Sequence, residues 1–271
     1  MEKKLIELKI ESLAFEGGGV ARLNNKAYFV RNAIPGDLII ANVMHQKKKY
    51  INAEIEEILV PSKSRVKPDC KYFSECGGCT LQNMDYSEQS NWKRQFVIDS
   101  LVHIAKLTDI EVLPTIQSPS IYHYRNKMEF SFSSSRWLSK NEIKTNELIT
   151  DKNFALGLHT PNNYMKVLDI DDCSIAPNNT QQIIETVRDV ALNESIQPFN
   201  SKTHSGFLKN LVVRYSLHED KLLIILITNS QARDKERNFV KTLNEKLFEK
   251  IPILKGFIWA VNSNVSNVAI G

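Results

Sequence analysis

Short apolar runs alternate with turn residues over residues 1–60, in the pattern of β-strands. Five runs are rich in β-branched or aromatic side chains, namely Leu5–Ile10, Val20–Leu23, Ala27–Val30, Leu38–Val43 and Ile51–Ile58. Turn residues such as Gly17–Gly19 and Pro35–Gly36 separate them. Short strands packed so closely along the chain predict a small OB-like β-barrel, a shape that often binds oligonucleotides.

A polar stretch with prolines, residues 60–69, follows the predicted barrel and runs directly into Cys70. We interpret it as a linker. Farther along, Asp85 and the later Glu88 predict a capping box at the start of a helix. An apolar stripe predicts one face of that helix, ending near Leu107 and packed mainly into a core; it comprises Trp92, Phe96, Val97, Leu101, Ile104 and Ala105.

The remaining chain mixes strand and helix periods. Predicted strands cover residues 122–132, 154–159, 164–170, 210–217, 222–228, 257–262 and 265–270, and predicted helices cover 180–192 and about 234–249. The polar stretch after Trp137 predicts a surface loop. The expected fold class is α+β, with an OB-like barrel at residues 1–60, a linker, cysteine loop and helix at 61–107, and a mixed α/β central domain at 108–271.

Composition narrows the class of protein. With 271 residues, 42% hydrophobic and 24% charged, the chain has the composition of a soluble globular protein of two domains. No apolar run is long enough to span a membrane, and the first residues lack the apolar core of a signal peptide, so the expected location is the cytoplasm. The net charge of +4 permits a polyanionic partner without requiring one.

The cysteines carry the clearest chemistry. Cys70, Cys76 and Cys79 form a C-x5-C-x2-C run, and Cys173 is the fourth cysteine of the sequence. Such a run is typical of iron–sulfur loops, in which Gly77 and Gly78 are expected to supply positive φ. A four-cysteine zinc site and four unrelated buried thiols remain open alternatives, although zinc sites usually have two short knuckles. Disulfides are not expected in a reducing compartment.

Other motifs add little. The Gly17–Gly19 triplet lacks dinucleotide-binding spacing and leads into a strand, so we interpret it as a turn. Lys47–Lys49 forms a basic tip between two predicted strands, which is either a solvated hairpin end or a phosphate contact. The histidines show no metal-ligand spacing, and no P-loop, nucleophile elbow or zinc-protease helix is present in the sequence.

Several segments resemble one enzyme family across essentially the whole chain. The residues that carry the resemblance are Glu16–Arg22, Phe29–Val30, Ile34–Asp37, Arg65–Cys70, Cys76–Gln82, Trp92–Arg94, Tyr124–Lys127 and Leu208–Arg214. They are similar to the iron–sulfur-containing RNA uracil-5-methyltransferases, bacterial enzymes that methylate uridine in 23S ribosomal RNA. The first sixty residues resemble the TRAM domain of that family.

The resemblance implies specific roles. Cys70, Cys76, Cys79 and Cys173 would be the ligands of a structural [4Fe–4S] cluster, S-adenosylmethionine would be the methyl donor, and a monomer would bind a single-stranded or looped segment of ribosomal RNA. The expected contacts to the RNA backbone are basic side chains: Arg22, Lys47, Lys48, Lys49, Lys93, Arg94, Arg125 and Lys127.

One departure from the family changes the functional expectation. The family's reaction needs a cysteine nucleophile, and all four cysteines are assigned to the cluster. The family's Asp-Pro-Pro-Arg motif and a cofactor-binding strand–turn–helix are also missing. The expectation is therefore an N-terminal part of such an enzyme, without its C-terminal methyltransferase domain and inactive by itself. The alternatives are a stand-alone iron–sulfur RNA-binding module, a radical methylthiotransferase and an electron-transfer protein.

Overall fold

The fold comprises two compact units. The structure, a computed structural model, describes residues 3–148, 152–161, 163–200, 202–229 and 233–264. The first unit takes residues up to 74 together with 79–119, and the second takes residues 75–78 together with the chain from 120 onward. In the described ranges, no helix combines the length and apolar content that crossing a membrane would need.

The first unit is built on a six-stranded mixed sheet. Its strands are β1 Leu5–Lys9, β2 Ser12–Leu13, β3 Gly19–Leu23, β4 Lys26–Arg31, β5 Leu38–Gln46 and β6 Tyr50–Val60. The spatial order is β1-β5-β6-β4-β3-β2, in which β4 and β6 are parallel and the other pairs are antiparallel.

The predicted OB-like barrel is therefore wrong. In the part of the chain that the structure describes, β1 and β2 form the two edges of the sheet and no strand pairing joins them. The sheet remains open because β2 has only two residues and pairs solely with β3. Apart from Ile10, the positions predicted as strands over residues 1–60 do lie in strands, so the error concerns how the strands pair.

The core of the first sheet follows from strand alternation. Alternate side chains of β4, Tyr28 and Val30, are buried together with Ile39 and Ala41 of β5. The pairing of β5 with β6 contains three register shifts. Such irregularities bend and twist long strands, which lets this pair curve over the common core.

The helix of the first unit begins as predicted but is covered differently. Helix α1 spans Tyr86–Asp99 and continues into a π-helical turn, Ser100–Ile104. Asp85 is the N-cap of α1, and its carboxylate accepts from the Ser87 amide at 3.0 Å. The predicted capping box with Glu88 is not formed. The predicted apolar stripe is not mainly core, because Val97 and Ile104 are 49% and 81% exposed.

The second unit contains another six-stranded mixed sheet. Its strands are β7 Lys127–Ser133, β8 Ala155–Thr160, β9 Asn163–Asp169, β10 Leu208–Ser216, β11 Lys221–Thr228 and β12 Leu254–Val261, in the order β12-β11-β10-β7-β8-β9. Strands β11 and β12 are parallel, and helix α4, Asp234–Lys250, connects them. The strands predicted at 154–159 and 164–170 pair as β8 and β9, and those predicted at 210–217 and 222–228 pair as β10 and β11. The strand predicted at 265–270 lies outside the described residues.

Helices complete the second unit. Helix α3, Thr180–Asn193, buries Ile183, Ile184 and Val187, and α4 buries Phe239, Leu243 and Leu247, as their apolar periods predict. The stretch predicted as a surface loop after Trp137 instead contains a short helix, α2, Lys140–Thr145. A capping box formed by Ser139 and Glu142 starts this helix, and a buried ion pair of Glu142 with Arg136 at 2.6 Å anchors it.

Candidate nucleic-acid interface

The outward face of the first sheet carries aromatic and basic side chains. Along β4, Tyr28 and Val30 point into the core while Phe29 points outward and is 36% exposed. Neighbouring β3 shows the same alternation, with Ala21 buried and Arg22 exposed. Two adjacent strands thus present a polar and aromatic surface to solvent.

The sheet register aligns these side chains. Arg22 lies opposite Ala27, which in turn lies opposite Tyr50, so the three residues form one row across β3, β4 and β6. The next row contains Val20, Phe29 and Asn52. The rings of Phe29 and Tyr50 meet edge to face, with centroids 5.7 Å apart. Because paired residues point to the same side of a sheet, Arg22, Phe29 and Tyr50 share one surface. We call this surface the aromatic face.

The predicted basic tip lies at the end of the aromatic face. Lys47, Lys48 and Lys49 are exposed in the turn between β5 and β6. The Lys47 amide donates to the Tyr50 carbonyl at 2.9 Å, and the Lys47 ammonium lies 5.3 Å from the centre of the Tyr50 ring. The side-chain hydrogen bond with Tyr50 raises the pKa of Lys47 above its ordinary 10.5.

Exposed rings beside cations on a sheet are suited to single-stranded nucleic acid. Every base has a flat face that can stack on an aromatic ring, and phosphates between bases attract Arg and Lys. Arg22 and Lys47–Lys49 were predicted from the sequence as RNA contacts, whereas Phe29 and Tyr50 were not. Phe29 could have been found, because alternation in a strand with Tyr28 and Val30 inward places Phe29 outward.

The other predicted RNA contacts do not belong to the aromatic face. In the first unit, Lys93 is exposed 5.7 Å from the Tyr86 ring centre, whereas Arg94 donates to the Val112 carbonyl at 2.8 Å and supports the chain after α1. In the second unit, Arg125 and Lys127 are exposed at the start of β7, where Lys127 forms an ion pair with Glu129.

The cysteine loop shows sulfur atoms that accept hydrogen bonds. In the first unit, the Gln82 amide group donates to Cys79 Sγ at 3.2 Å while its oxygen accepts from the Cys70 amide at 3.2 Å. In the second unit, the Gly78 amide donates to Cys76 Sγ at 3.3 Å. N–H donors directed at sulfur favour the thiolate form, which is the form that binds metals.

Gly77 allows the cysteine loop to pack closely against β8. Contrary to the expectation, neither Gly77 nor Gly78 has positive φ. The Gly77 amide instead donates to the His159 carbonyl at 3.0 Å, and a Cβ on Gly77 would lie 3.0 Å from that same oxygen. A side chain at Gly77 would therefore push the loop away from β8.

The four cysteines predicted to bind a metal cluster stay a prediction. Cys173 is buried at 7% exposure, in a turn where the Ala176 amide donates to the Cys173 carbonyl at 2.9 Å, and none of the four cysteines is in a disulfide. Among the residues that the structure describes, no three His, Cys, Asp or Glu side chains are grouped to hold a metal ion.

The architecture is shared with a solved RNA-modifying enzyme. The tRNA (uracil-54, C5)-methyltransferase of Pyrococcus abyssi, solved with S-adenosyl-L-homocysteine, superposes with a TM-score of 0.63 over 98% of this chain and 53% of that chain, at 24% identity. At this identity the likeness establishes the fold.

Proteins that are similar in sequence are named as RNA methyltransferases. Proteins named uncharacterized RNA methyltransferases are similar to this chain: one of Chlorobaculum tepidum is 36% identical over 80% of this chain and 44% of its own length. One of Halalkalibacterium halodurans is 30% identical over 98% of this chain and 54% of its own length. No family model matches the chain. The chain thus spans about half the length of the curated relatives it matches.

Proposed function

We propose that these 271 residues bind RNA for an S-adenosylmethionine-dependent uracil-5 methylation. The aromatic face carries this proposal, because it places Phe29 and Tyr50 beside Arg22 and Lys47 on one exposed surface. The names of the sequence relatives and the nucleoside-modifying fold support the reaction class. S-adenosylmethionine would supply the methyl group.

The aromatic face would hold a single-stranded segment. Phe29 and Tyr50 would each stack on a base, and Arg22 with the Lys47–Lys49 tip would bind the phosphates alongside. Unpaired bases are required, because side chains cannot reach base edges in the deep groove of an RNA helix. From the resemblance we propose ribosomal RNA, 23S, as the substrate; the solved fold relative acts on tRNA, which makes tRNA the competing outcome.

Replacing the rings tests the aromatic face. Stacking contributes about 1–3 kcal/mol per base, so we expect Phe29→Ala and Tyr50→Ala each to weaken binding of a labelled single-stranded 23S fragment about tenfold. The matched control is Phe248→Ala, an exposed ring on α4 that is 44% exposed and should leave affinity unchanged. Fluorescence anisotropy measures the affinities. Equal affinity of all three variants would contradict the proposal, and tighter binding of a tRNA fragment would change the substrate.

We propose that Cys70, Cys76, Cys79 and Cys173 bind a structural [4Fe–4S] cluster. Support comes from the C-x5-C-x2-C spacing and from the N–H donors on the Cys76 and Cys79 sulfurs. Sulfur atoms that accept such hydrogen bonds suit the ligation of a cluster. The cluster would stabilise the loop.

Metal analysis of anaerobically purified protein tests the cluster. We expect iron and acid-labile sulfide in equal amounts with broad visible absorption, and we expect Cys173→Ser to lose most of both. Ser174→Ala is the matched control, since the Ser174 carbonyl that accepts from His123 is unaffected by that change. Zinc without sulfide would replace the cluster by a zinc site, and a metal-free protein with intact fold would refute both.

We further propose that these residues bind the RNA without performing the methyl transfer. Each cysteine in the sequence is assigned to the cluster, so none remains to attack the uracil ring. Single-turnover methyl transfer to a 23S fragment measures this directly. Formation of 5-methyluridine by residues 1–271 would refute this part while leaving RNA binding in place.

A further inference from the structure

A basic cleft opens on the second unit where several strand ends meet. Its volume is about 430 Å³. The lining comes from the start of β7, the end of β10 and the starts of β11 and β12, through Asn126, Arg214, Tyr215, Ser216, Lys221, Leu222, Leu223, Lys255 and Gly256. Three of these side chains are cationic and none is acidic, so the cleft favours an anionic ligand.

A bulge at Lys255 shapes the cleft. Leu222 lies opposite Leu254 and Leu223 lies opposite Gly256, so Lys255 is an extra residue in β12 without a partner in β11. A bulge of this kind redirects the side chain of the extra residue. A Cβ on Gly256 would lie 2.7 Å from Leu223 Cδ1, so the glycine leaves the space that Leu223 occupies.

The opposite wall places Arg214 at the rim. Arg214 follows the fully buried Val213 in β10 and is exposed, and it lies opposite Lys127 of β7. The Tyr215 amide donates to the Asn126 carbonyl at 2.8 Å, which fixes Asn126 beside Arg214. Strand pairing therefore positions both walls of the cleft.

Two acids of the turn between β10 and β11 are already engaged. Glu219 accepts from Lys221 at 2.6 Å, and Asp220 accepts from the Tyr215 hydroxyl at 2.9 Å. Lys255 donates to the Pro252 carbonyl at 3.3 Å. Within the described ranges, Arg214 has no ion-pair partner, which leaves its planar group available to a ligand.

We propose that this cleft binds a phosphodiester of the RNA strand. The inference rests on the proposed function and adds a second phosphate contact, carried by Arg214, Lys255 and Asn126. Arginine can donate two parallel hydrogen bonds to a phosphate, and lysine adds a point charge. Of the lining residues Tyr215 alone is aromatic, and its hydroxyl donates to Asp220 at 2.9 Å. The cationic side chains of the cleft are therefore the groups suited to a ligand, and they favour the phosphate backbone. The predicted contacts Arg125 and Lys127 flank Asn126 in sequence and would serve the same strand.

Charge-removal variants test the cleft. The probe is a labelled oligouridine of about 12 nucleotides, within the usual site size of single-strand binders. We expect Arg214→Ala and Lys255→Ala each to weaken binding about tenfold. Each should also lower the slope of log affinity against log salt by about 0.7, the value for one lost phosphate contact on a single strand. Lys246→Ala, which removes an exposed charge from α4, is the matched control and should change neither quantity.

The outcomes separate the two proposals. If the unaltered protein does not bind the probe, the proposed function fails. If it binds and Arg214→Ala with Lys255→Ala retain affinity and slope, the cleft proposal alone fails. Crosslinking with 4-thiouridine in the probe should label residues 208–223. Displacement of the probe by inorganic phosphate at equal phosphate concentration would identify a free-phosphate site and overturn the strand contact.

Discussion

In each unit, a buried charged side chain binds the segment that follows the last strand of the sheet. The two units differ in the sign of that charge and in the groups that compensate it. After β6 the chain of the first unit is anchored on Asp37, and after β12 the chain of the second unit is anchored on Lys209. Both side chains are fully buried, at 0% exposure. Asp37 has a partner of opposite charge, whereas Lys209 binds carbonyl oxygens.

Asp37 is surrounded by donors. Its carboxylate accepts from the amides of Ile34 at 2.8 Å and Ser62 at 2.9 Å. It also accepts from both ends of the Arg65 guanidinium, at 2.9 Å and 2.5 Å. Burial raises the pKa of Asp37, but the hydrogen bonds from Arg65, Ile34 and Ser62 outweigh it, so the pKa lies below 3.8. Arg65, which the sequence placed in a linker, therefore fixes that linker to the sheet.

Among the residues that the structure describes, Lys209 has no acidic partner. Its ammonium donates to the carbonyls of Asn262 at 2.7 Å and Asn264 at 2.6 Å and lies 4.3 Å from the centre of the Phe199 ring. Burial lowers the pKa of Lys209 below 10.5. Carbonyl dipoles and a ring face compensate a charge less completely than a carboxylate does. Burial alone therefore does not determine what a charged side chain contributes to stability, because the contribution depends on its partner.

The largest effect is expected from removing the anion. Asp37→Asn keeps the size but leaves Arg65, whose side chain is 17% exposed, without its counter-charge. Breaking a buried pair in this way costs about 3–5 kcal/mol, and urea unfolding of the first unit measures it. Asp109→Asn, an exposed acid of the same unit, is the control and should cost almost nothing. If Asp37→Asn is equally mild, the carboxylate is not the anchor.

A smaller effect is expected at Lys209. Lys209→Met retains the length of the side chain and loses the hydrogen bonds to Asn262 and Asn264, which destabilises, but it also removes a buried charge, which stabilises. The net loss should be about 2 kcal/mol, with exposed Lys241→Met as the control. A stabilised Lys209→Met protein would show that the cost of burying the charge exceeds the worth of its hydrogen bonds.

The sequence could predict the strands but not these anchors. Alternating apolar residues place β3, β4 and β5 within a few residues, since each local period follows from burial of one face. Pairing is a long-range property: β1 pairs with β5 and not with β2, which no local pattern contains. The burial of Lys209 could not be predicted for another reason. From Leu208 to Val213 every residue is buried on both faces, so alternation carries no information there.

The candidate site likewise has features that the sequence predicts and features that it does not. Phe29 was predictable from alternation, and the cysteine loop from its spacing. The Lys255 bulge was not, because it depends on how β12 registers against β11. The exposed stripe of α1 shows the limit of the helical period, which marks an apolar face without saying what covers it.

An uncharged anchor should have a still smaller effect. The Ser139 hydroxyl accepts from the Glu142 amide at 3.2 Å at the start of α2. Ser139→Ala should cost about 1 kcal/mol, as for other helix caps, with Ser135→Ala as the control in an exposed neighbour. Thermal unfolding measures it. A loss as large as that of Lys209→Met would mean that the ion pair of Glu142 with Arg136 depends on the cap.

The pH dependence should be the smallest effect and distinguishes the two buried charges by sign. Between the folded pKa of Asp37 and its ordinary 3.8, the unfolded chain holds the proton and the folded chain does not. Its stabilisation is therefore complete above 3.8 and is lost as pH falls through the folded value. The stability difference between the unaltered protein and Asp37→Asn should shrink in acid.

For Lys209, the unfolded chain holds more protons between the folded pKa and 10.5. The penalty of its buried charge is thus relieved as pH rises through that window, and the advantage over Lys209→Met should grow in alkali. An advantage that shrinks there would show that the carbonyl groups hold the ammonium more tightly than its burial disfavours it.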